Sequence, residues 1–122
     1  MTRKRLDLGV LGEKLALKEI RARGYRSIIR NYSCKLGEID LIARDEDTLV
    51  FIEVKTRRNR STGYAKEAVN LKKRRQLSKV ALYYMKTNEY FDSRARFDVI
   101  AVNVGGGEPE IEIVKNAFEL EY

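Results

Sequence analysis

The run Thr48–Thr56, Thr-Leu-Val-Phe-Ile-Glu-Val-Lys-Thr, constrains this chain more than any other segment. Leu49, Val50, Phe51 and Ile52 are consecutive and apolar, so the polar alternation of a half-solvated strand is missing. A strand of that kind is buried on both faces at the centre of a sheet. Its C-terminal end is nevertheless charged. Side chains alternate along a strand, so Glu53 and Lys55 share a face with Phe51, while Val50, Ile52 and Val54 take the other. Those charges must face either the core or a cleft, because an unpaired buried carboxylate costs several kcal/mol.

The surrounding segments supply the rest of an α/β domain. A helix is predicted over about residues 7–23, stopped by Gly24. Asp7, Lys14, Lys18 and Arg21 share a polar face, and Leu8, Leu11 and Leu15 an apolar one. Glu13 falls outside the polar face, in line with Leu17 and Ile20 and beside Gly9 and Ala16, which puts a carboxylate on or next to the buried side. Strands are predicted over 26–33, 36–44 and 48–56, with Asp45-Glu46-Asp47 as a turn. Their connections are too short for crossovers, so the three form an antiparallel meander. A Lys/Arg-rich loop at 57–66 leads to a helix over about 66–87. Val69, Leu77, Val80, Ala81 and Tyr84 form its apolar face, with Lys73 in line with Leu77 and Ala81. Strands at 96–103 and 110–114 follow, joined by Gly105-Gly106-Gly107. The first of them pairs in parallel through a right-handed crossover. The expected architecture is one domain, residues 1–122, with a mixed five-stranded sheet flanked by helices.

Several absences limit the chemistry. The 122 residues contain no His, which removes Ser-His-Asp triads, Cys-His dyads and every His-ligated zinc site. The one cysteine, Cys34, makes neither an internal disulfide nor a Cys₄ metal site and suits a reducing cytoplasm. No segment approaches the roughly 18 apolar residues of a membrane span. Arg3-Lys4-Arg5 imitates the start of a signal peptide, but Asp7, Glu13 and Lys14 interrupt any apolar run behind it. Chemistry is left to carboxylates, Lys, Arg, hydroxyls or a hard metal ion. The net charge is +7, and it is uneven: residues 105–122 hold Lys115 against five Glu, so residues 1–104 carry +11. So basic a segment suits a polyanion.

Glu38 and Asp40 are two apart in the second strand and share a face, with Ile39 and Leu41 on the other. If strands two and three are hairpin neighbours, Asp40, Glu53 and Lys55 gather at one end of the sheet. Two readings follow. In one, Lys55 forms a salt bridge with Asp40 or Glu53 and nothing more happens. In the other, carboxylates that repel one another are neutralised by a cation. Carboxylates, a backbone carbonyl and water are the ligands Mg²⁺ prefers, and a neighbouring lysine can orient a water or stabilise charge on a phosphate.

Gly37-Glu38-Ile39-Asp40 followed by Phe51-Ile52-Glu53-Val54-Lys55 resembles motifs II and III of the PD-(D/E)xK nuclease superfamily. Together with Gly12-Glu13, Ala16, Arg30-Asn31, Lys73 and Arg96-Phe97-Asp98-Val99, the pattern across about 90 residues resembles the bacterial YraN-type family. That family is endonuclease-like and similar in fold to archaeal Holliday junction resolvases. The resemblance implies a restriction-endonuclease-like fold with Asp40 and Glu53 as Mg²⁺ ligands, Mn²⁺ as a substitute, and the Val54 carbonyl as a third ligand. It implies that Lys55 positions the attacking water, and that Glu13 contacts the metal directly or through water. It also makes Lys73 a phosphate or scissile-strand contact. Ile39 stands where the superfamily pattern has Pro. Glu38 ranks behind Asp40, as a further ligand or as a partner for a nearby Arg.

Lys55, Arg57, Arg58, Arg60 and the run Lys72 to Arg75 would flank the cleft and neutralise DNA phosphates, with one of Arg74 and Arg75 on the plain surface. Asp98 reads as a structural partner of Arg96 or Arg30. Tyr83, Tyr84, Tyr90 and Phe91 read as core and rim aromatics. Gly105–Gly107 lacks the Lys-Ser/Thr of a phosphate loop and reads as a hairpin turn. The expected activity is that of a cytoplasmic, metal-dependent endodeoxyribonuclease on structured or branched DNA, leaving 5′-phosphate and 3′-hydroxyl ends. The alternative is a non-catalytic module that binds nucleic acid or recruits a partner on the same fold. A homodimer is compatible with either.

Overall fold

A computed structural model describes residues 3–58, 69–90 and 93–119, with the side chains of 3–7 excepted. Its elements are α1 (Arg3–Ala22), β1 (Arg26–Cys34), β2 (Gly37–Asp45), β3 (Thr48–Arg57), α2 (Leu71–Thr87), β4 (Arg94–Asn103) and β5 (Glu110–Phe118). The five strands form one sheet in the order β1-β2-β3-β4-β5. All neighbours are antiparallel except β3 and β4, which run parallel and are joined through α2. This is the mixed sheet that the sequence predicts, in the restriction-endonuclease-like arrangement.

β3 lies at the centre because both of its faces are apolar. Leu49 and Phe51 pack with Leu77, Val80, Ala81 and Tyr84 of α2. Val50 and Ile52 pack with Ala16, Leu17 and Ile20 of α1. The helices therefore cover opposite faces, and from Leu49 to Ile52 neither face of the central strand meets water. Asn70 caps α2: its side chain accepts the Lys73 backbone N–H at 2.9 Å. The cap starts this helix at Leu71, later than the predicted Lys66, while residues 59–68 lie outside the described residues.

α1 turns a different face to the sheet from its leucine stripe. Gly12, Ala16, Leu17 and Ile20 are buried, whereas Leu11 is 43% exposed and Val10 54%. Gly12 explains the choice. A Cβ there would overlap Thr56 Oγ1, so only glycine lets the helix backbone come this close to β3. That approach brings Glu13 to the sheet edge.

β2 corrects the expected alternation. Ile39 belongs to the core under α2, but Leu41 belongs to the core under α1. The two residues therefore face opposite ways, although they are two apart. Asn31 falls opposite Asp40 in the register that pairs Tyr32 with Ile39 and Arg30 with Leu41, and its φ is +52°. One left-handed residue, of a type that tolerates that conformation, lets β1 and β2 reverse their facing together at Asp40.

Gly12→Ala is expected to lower stability by about 1–2 kcal/mol, the overpacking cost exceeding the gain in helix propensity. Gly9→Ala, where a Cβ meets nothing within 4 Å, is expected to raise it by about 0.5–1 kcal/mol. Urea midpoints of the two variants measure the difference.

Candidate functional site

Pairing between β2 and β3 ends at Leu41 and Ile52. Continued in register, it would set Val54 opposite Ile39. Instead the Val54 N–H donates to Asp40 Oδ2 at 2.8 Å. A side-chain carboxylate has replaced a backbone carbonyl in the ladder, and β2 leaves β3 at this point. The N–H and C=O of one strand residue point to the same side, so the Val54 carbonyl also faces the gap.

A cleft of about 460 Å³ opens there, lined by Leu8, Gly9 and Glu13 of α1, Asp40 of β2, and Glu53, Val54, Lys55 and Thr56 of β3. The structure thus brings together all four residues predicted to carry chemistry. Glu53 and Asp40 are in hydrogen-bonding contact. Burial, and then the Asp40 charge, push the Glu53 carboxyl up to about 7, against the opposing pull of Lys73 and Lys55. Glu53 therefore keeps its proton up to near neutrality, as burial beside a like charge favours. Glu13 is also raised, mainly by burial and next by the Asp40 charge, with Arg30 opposing. Lys55 is exposed on the rim.

Among the described residues, no three of Asp, Glu, Cys and His are close enough to form a metal cage by themselves. The acidic unit is the pair Asp40–Glu53, with Glu13 on the facing wall. That donor set suits Mg²⁺, which takes one or two carboxylates and keeps several waters. A divalent ion beside Glu53 and Asp40 would offset the same like-charge repulsion that raises Glu53.

The basic residues divide. Lys73 lies close enough to Glu53 to oppose the rise in its pKa. Lys72, one residue earlier, lines a separate groove. Arg58 is exposed. Arg57 corrects the expectation: it is 9% exposed, and its Nε donates to Asn103 Oδ1 at 3.2 Å, so its guanidinium is engaged inside the fold and not set out for phosphate. Arg60 lies outside the described residues, as do Phe91 and Gly63. Arg74 Nε donates to the Val69 carbonyl and its guanidinium lies over Phe118, which makes it a packing residue.

Asp98 is structural, as its pairing with Arg96 was expected to make it. Arg96 Nε reaches Asp98 at 3.0 Å, and its Nη2 reaches Asp45 at 2.8 Å and the Tyr25 hydroxyl at 2.9 Å. Glu38 is exposed, and its charge adds to the rise at Glu13. Tyr84 is buried against Tyr32, Phe51 and Tyr90, a core role. The sequence reading missed Leu8 and Thr56 as cleft walls. Thr56 was detectable only through its contact with Gly12, which no local pattern reveals.

Among the described residues, no helix is long and apolar enough to cross a membrane. The profile of the uncharacterised protein family UPF0102 matches residues 12–102. A UPF0102 protein of Syntrophus aciditrophicus is 45% identical over 117 residues, covering 96% of this chain and 92% of the relative. One from Pelobacter propionicus is 50% identical over 119 residues, covering 95% and 85%. One from Caldicellulosiruptor saccharolyticus is 42% identical over 114 residues, covering 92% and 97%. The matched region contains Glu13, Asp40, Glu53, Lys55 and Lys73, and the chain belongs to UPF0102, the YraN-type nuclease-like family.

Proposed function

We propose that this protein is a metal-dependent endodeoxyribonuclease that hydrolyses phosphodiester bonds in structured or branched DNA. The observation that carries the reading is the contact between Asp40 and Glu53 in an open cleft, with the Val54 carbonyl facing the same gap. Asp40, Glu53 and that carbonyl would hold Mg²⁺ or Mn²⁺, with Glu13 reaching it through water from the other wall. The ion, when bound, supplies Lewis-acid activation of phosphate and water.

The chain's own groups do the rest. Asp40, anchored by the Val54 N–H, keeps its carboxylate in one orientation. Glu53, once its proton is displaced, adds a second fixed negative charge. Lys55 Nζ, on the rim, can donate to a non-bridging phosphate oxygen or to the attacking water and stabilise charge developing at phosphorus. Lys73 sits on the α2 side of the same acid pair and can hold the scissile phosphate from behind. Arg58 and Lys72 would bind flanking phosphates, and Arg60 keeps that role as a sequence-based proposal. No described element resembles a recognition helix, so selectivity would rest on backbone geometry. A cytoplasmic location and a homodimer remain parts of the same proposal.

A second reading is a binding module without catalysis. It is favoured by the absence of a three-acid cluster among the described residues and by the engagement of Asp40 in the sheet. One assay separates the two. The protein is incubated with Mg²⁺ or Mn²⁺ and labelled duplex, single-stranded, flap and four-way-junction DNA, beside Asp40→Ala. Cleavage of at least one branched substrate, reduced by about 10³-fold or more in the variant, is expected. Binding without cleavage in either metal, unchanged by Asp40→Ala, would leave the binding module standing.

The acid pair also makes a stability prediction. The folded pKa of Glu53 lies above the unfolded value, so its contribution is fully present below about pH 4.5 and is lost as pH rises through about 7. In EDTA, Glu53→Gln should therefore be more stable than the parent at pH 8, by about 1–3 kcal/mol, and the gap should close below pH 5. Millimolar Mg²⁺ should stabilise the parent at pH 8 and leave Glu53→Gln nearly unmoved. Thermal melts across pH, with and without the ion, read both effects.

A further inference from the structure

α2 carries Lys72, Lys73, Arg74, Arg75, Lys79 and Lys86 and no acidic residue. Lys73 and Arg74 are turned inward, toward Glu53 and Phe118. Lys72, Arg75 and Lys79 recur at helical spacing on the outer face and meet Lys35 from the β1–β2 turn around a groove of about 660 Å³. Leu36 and Leu71 lie in this groove and are 39% and 48% exposed. Among the described residues, no acidic residue lines it. The Gln76 side chain packs against Gly37, so the groove floor abuts the start of β2.

Four cations without an acid repel one another, and a bound polyanion would relieve them. Two exposed leucines among those cations add a requirement of their own. A continuous duplex keeps its base faces stacked inside and presents sugar, phosphate and the edges of the bases. An unpaired strand presents phosphates together with flat apolar base faces, which matches cations surrounding leucines. We propose that this groove binds an unpaired single strand of nucleic acid, with phosphates on Lys35, Lys72, Arg75 and Lys79 and bases against Leu36 and Leu71.

The groove is connected to the acidic site through two elements, α2 and the start of β2. Lys72 borders Lys73, which faces Glu53, and Gly37 lies three residues before Asp40. A strand held in the groove would run on toward the cleft along these two elements. This rests on the nuclease reading and sharpens it: the preferred substrate has an unpaired strand next to the bond to be cut.

The test is fluorescence anisotropy in EDTA with labelled oligo-dT and a duplex of equal length. Lys35→Glu with Lys79→Glu should weaken oligo-dT binding at least tenfold and make the slope of log affinity against log salt shallower by roughly 1.4, two phosphate contacts' worth. Leu36→Ser with Leu71→Ser should lower the preference for single strand over duplex by about tenfold. Ultraviolet crosslinking of the unmodified protein to oligo-dT should map to peptides containing Lys35 and Leu71 to Lys79, which keeps the test independent of variant folding. Four results overturn the proposal: unchanged single-strand affinity on charge reversal, equal losses for single strand and duplex in the leucine variant, crosslinks confined to other peptides, or displacement of oligo-dT by oligo-glutamate at equal charge, which would mark an acidic-peptide site. With EDTA present throughout, cleavage does not enter the readout. A protein that cuts DNA but fails here loses only the groove, and one that binds here but cuts nothing loses only the nuclease reading.

Discussion

Val54 gives its backbone N–H to the carboxylate of Asp40 and not to a carbonyl of β2, and the geometry of the cleft follows from that exchange. A backbone partner would have kept β2 and β3 zipped and the Val54 carbonyl inside a ladder. A carboxylate satisfies the donor from a side chain, so the strands separate without leaving a buried N–H unpaired. The gap exposes the carbonyl of the same residue, brings Asp40 against Glu53, and leaves room for Glu13 to face them from α1. The helix can stand there because Gly12 lets it approach Thr56. One hydrogen bond and one missing Cβ together set the walls of the site.

Much of this was legible in the sequence, and the reasons are local. The apolar run of β3 needs cover on both faces, which dictates a central strand between helices. Glu13 could be placed by helical spacing alone, because its line through Leu17 and Ile20 is the line that the sheet buries. The failures have equally specific causes. Alternation predicted Ile39 and Leu41 on one face, and the reversal at Asp40 depends on the left-handed Asn31 in the neighbouring strand, a cross-strand effect that no single-strand pattern contains. Arg57 read as a surface cation because composition cannot see Asn103, 46 residues away, accepting its Nε–H. Lys72 and Lys73 read as one run, but adjacent helix positions point about 100° apart, so Lys73 acts on Glu53 while Lys72 lines the groove.

The sheet contains a second close pair of acids, and the contrast between the two is informative. Asp45 and Asp98 converge on Arg96, whose guanidinium bonds both and the Tyr25 hydroxyl as well. Asp98 also accepts the Asn116 N–H, where β5 passes through a positive φ, so its carboxylate shapes an irregular edge. Here the fold supplies its own cation, fully charged and fixed by several bonds, and the cluster is complete. Such a site has no electrostatic reason to take a ligand.

Among the described residues, Asp40 and Glu53 have no internal cation of that kind. Lys73 and Lys55 pull on Glu53, yet burial and the Asp40 charge prevail, and Glu53 retains its proton up to near neutrality. A lysine ammonium is a flexible point charge and lacks the fork that lets Arg96 satisfy two carboxylates together. The result is an acid pair that is incompletely neutralised, open to solvent, and set within a segment carrying +11. Two requirements of phosphoryl chemistry conflict on any single surface: a cation site needs clustered negative charge, and a phosphate needs positive charge beside it. This fold separates them by a few residues along two elements. The acids sit where β3 parts from β2, the lysines stand on the rim and on α2, and neither group cancels the other.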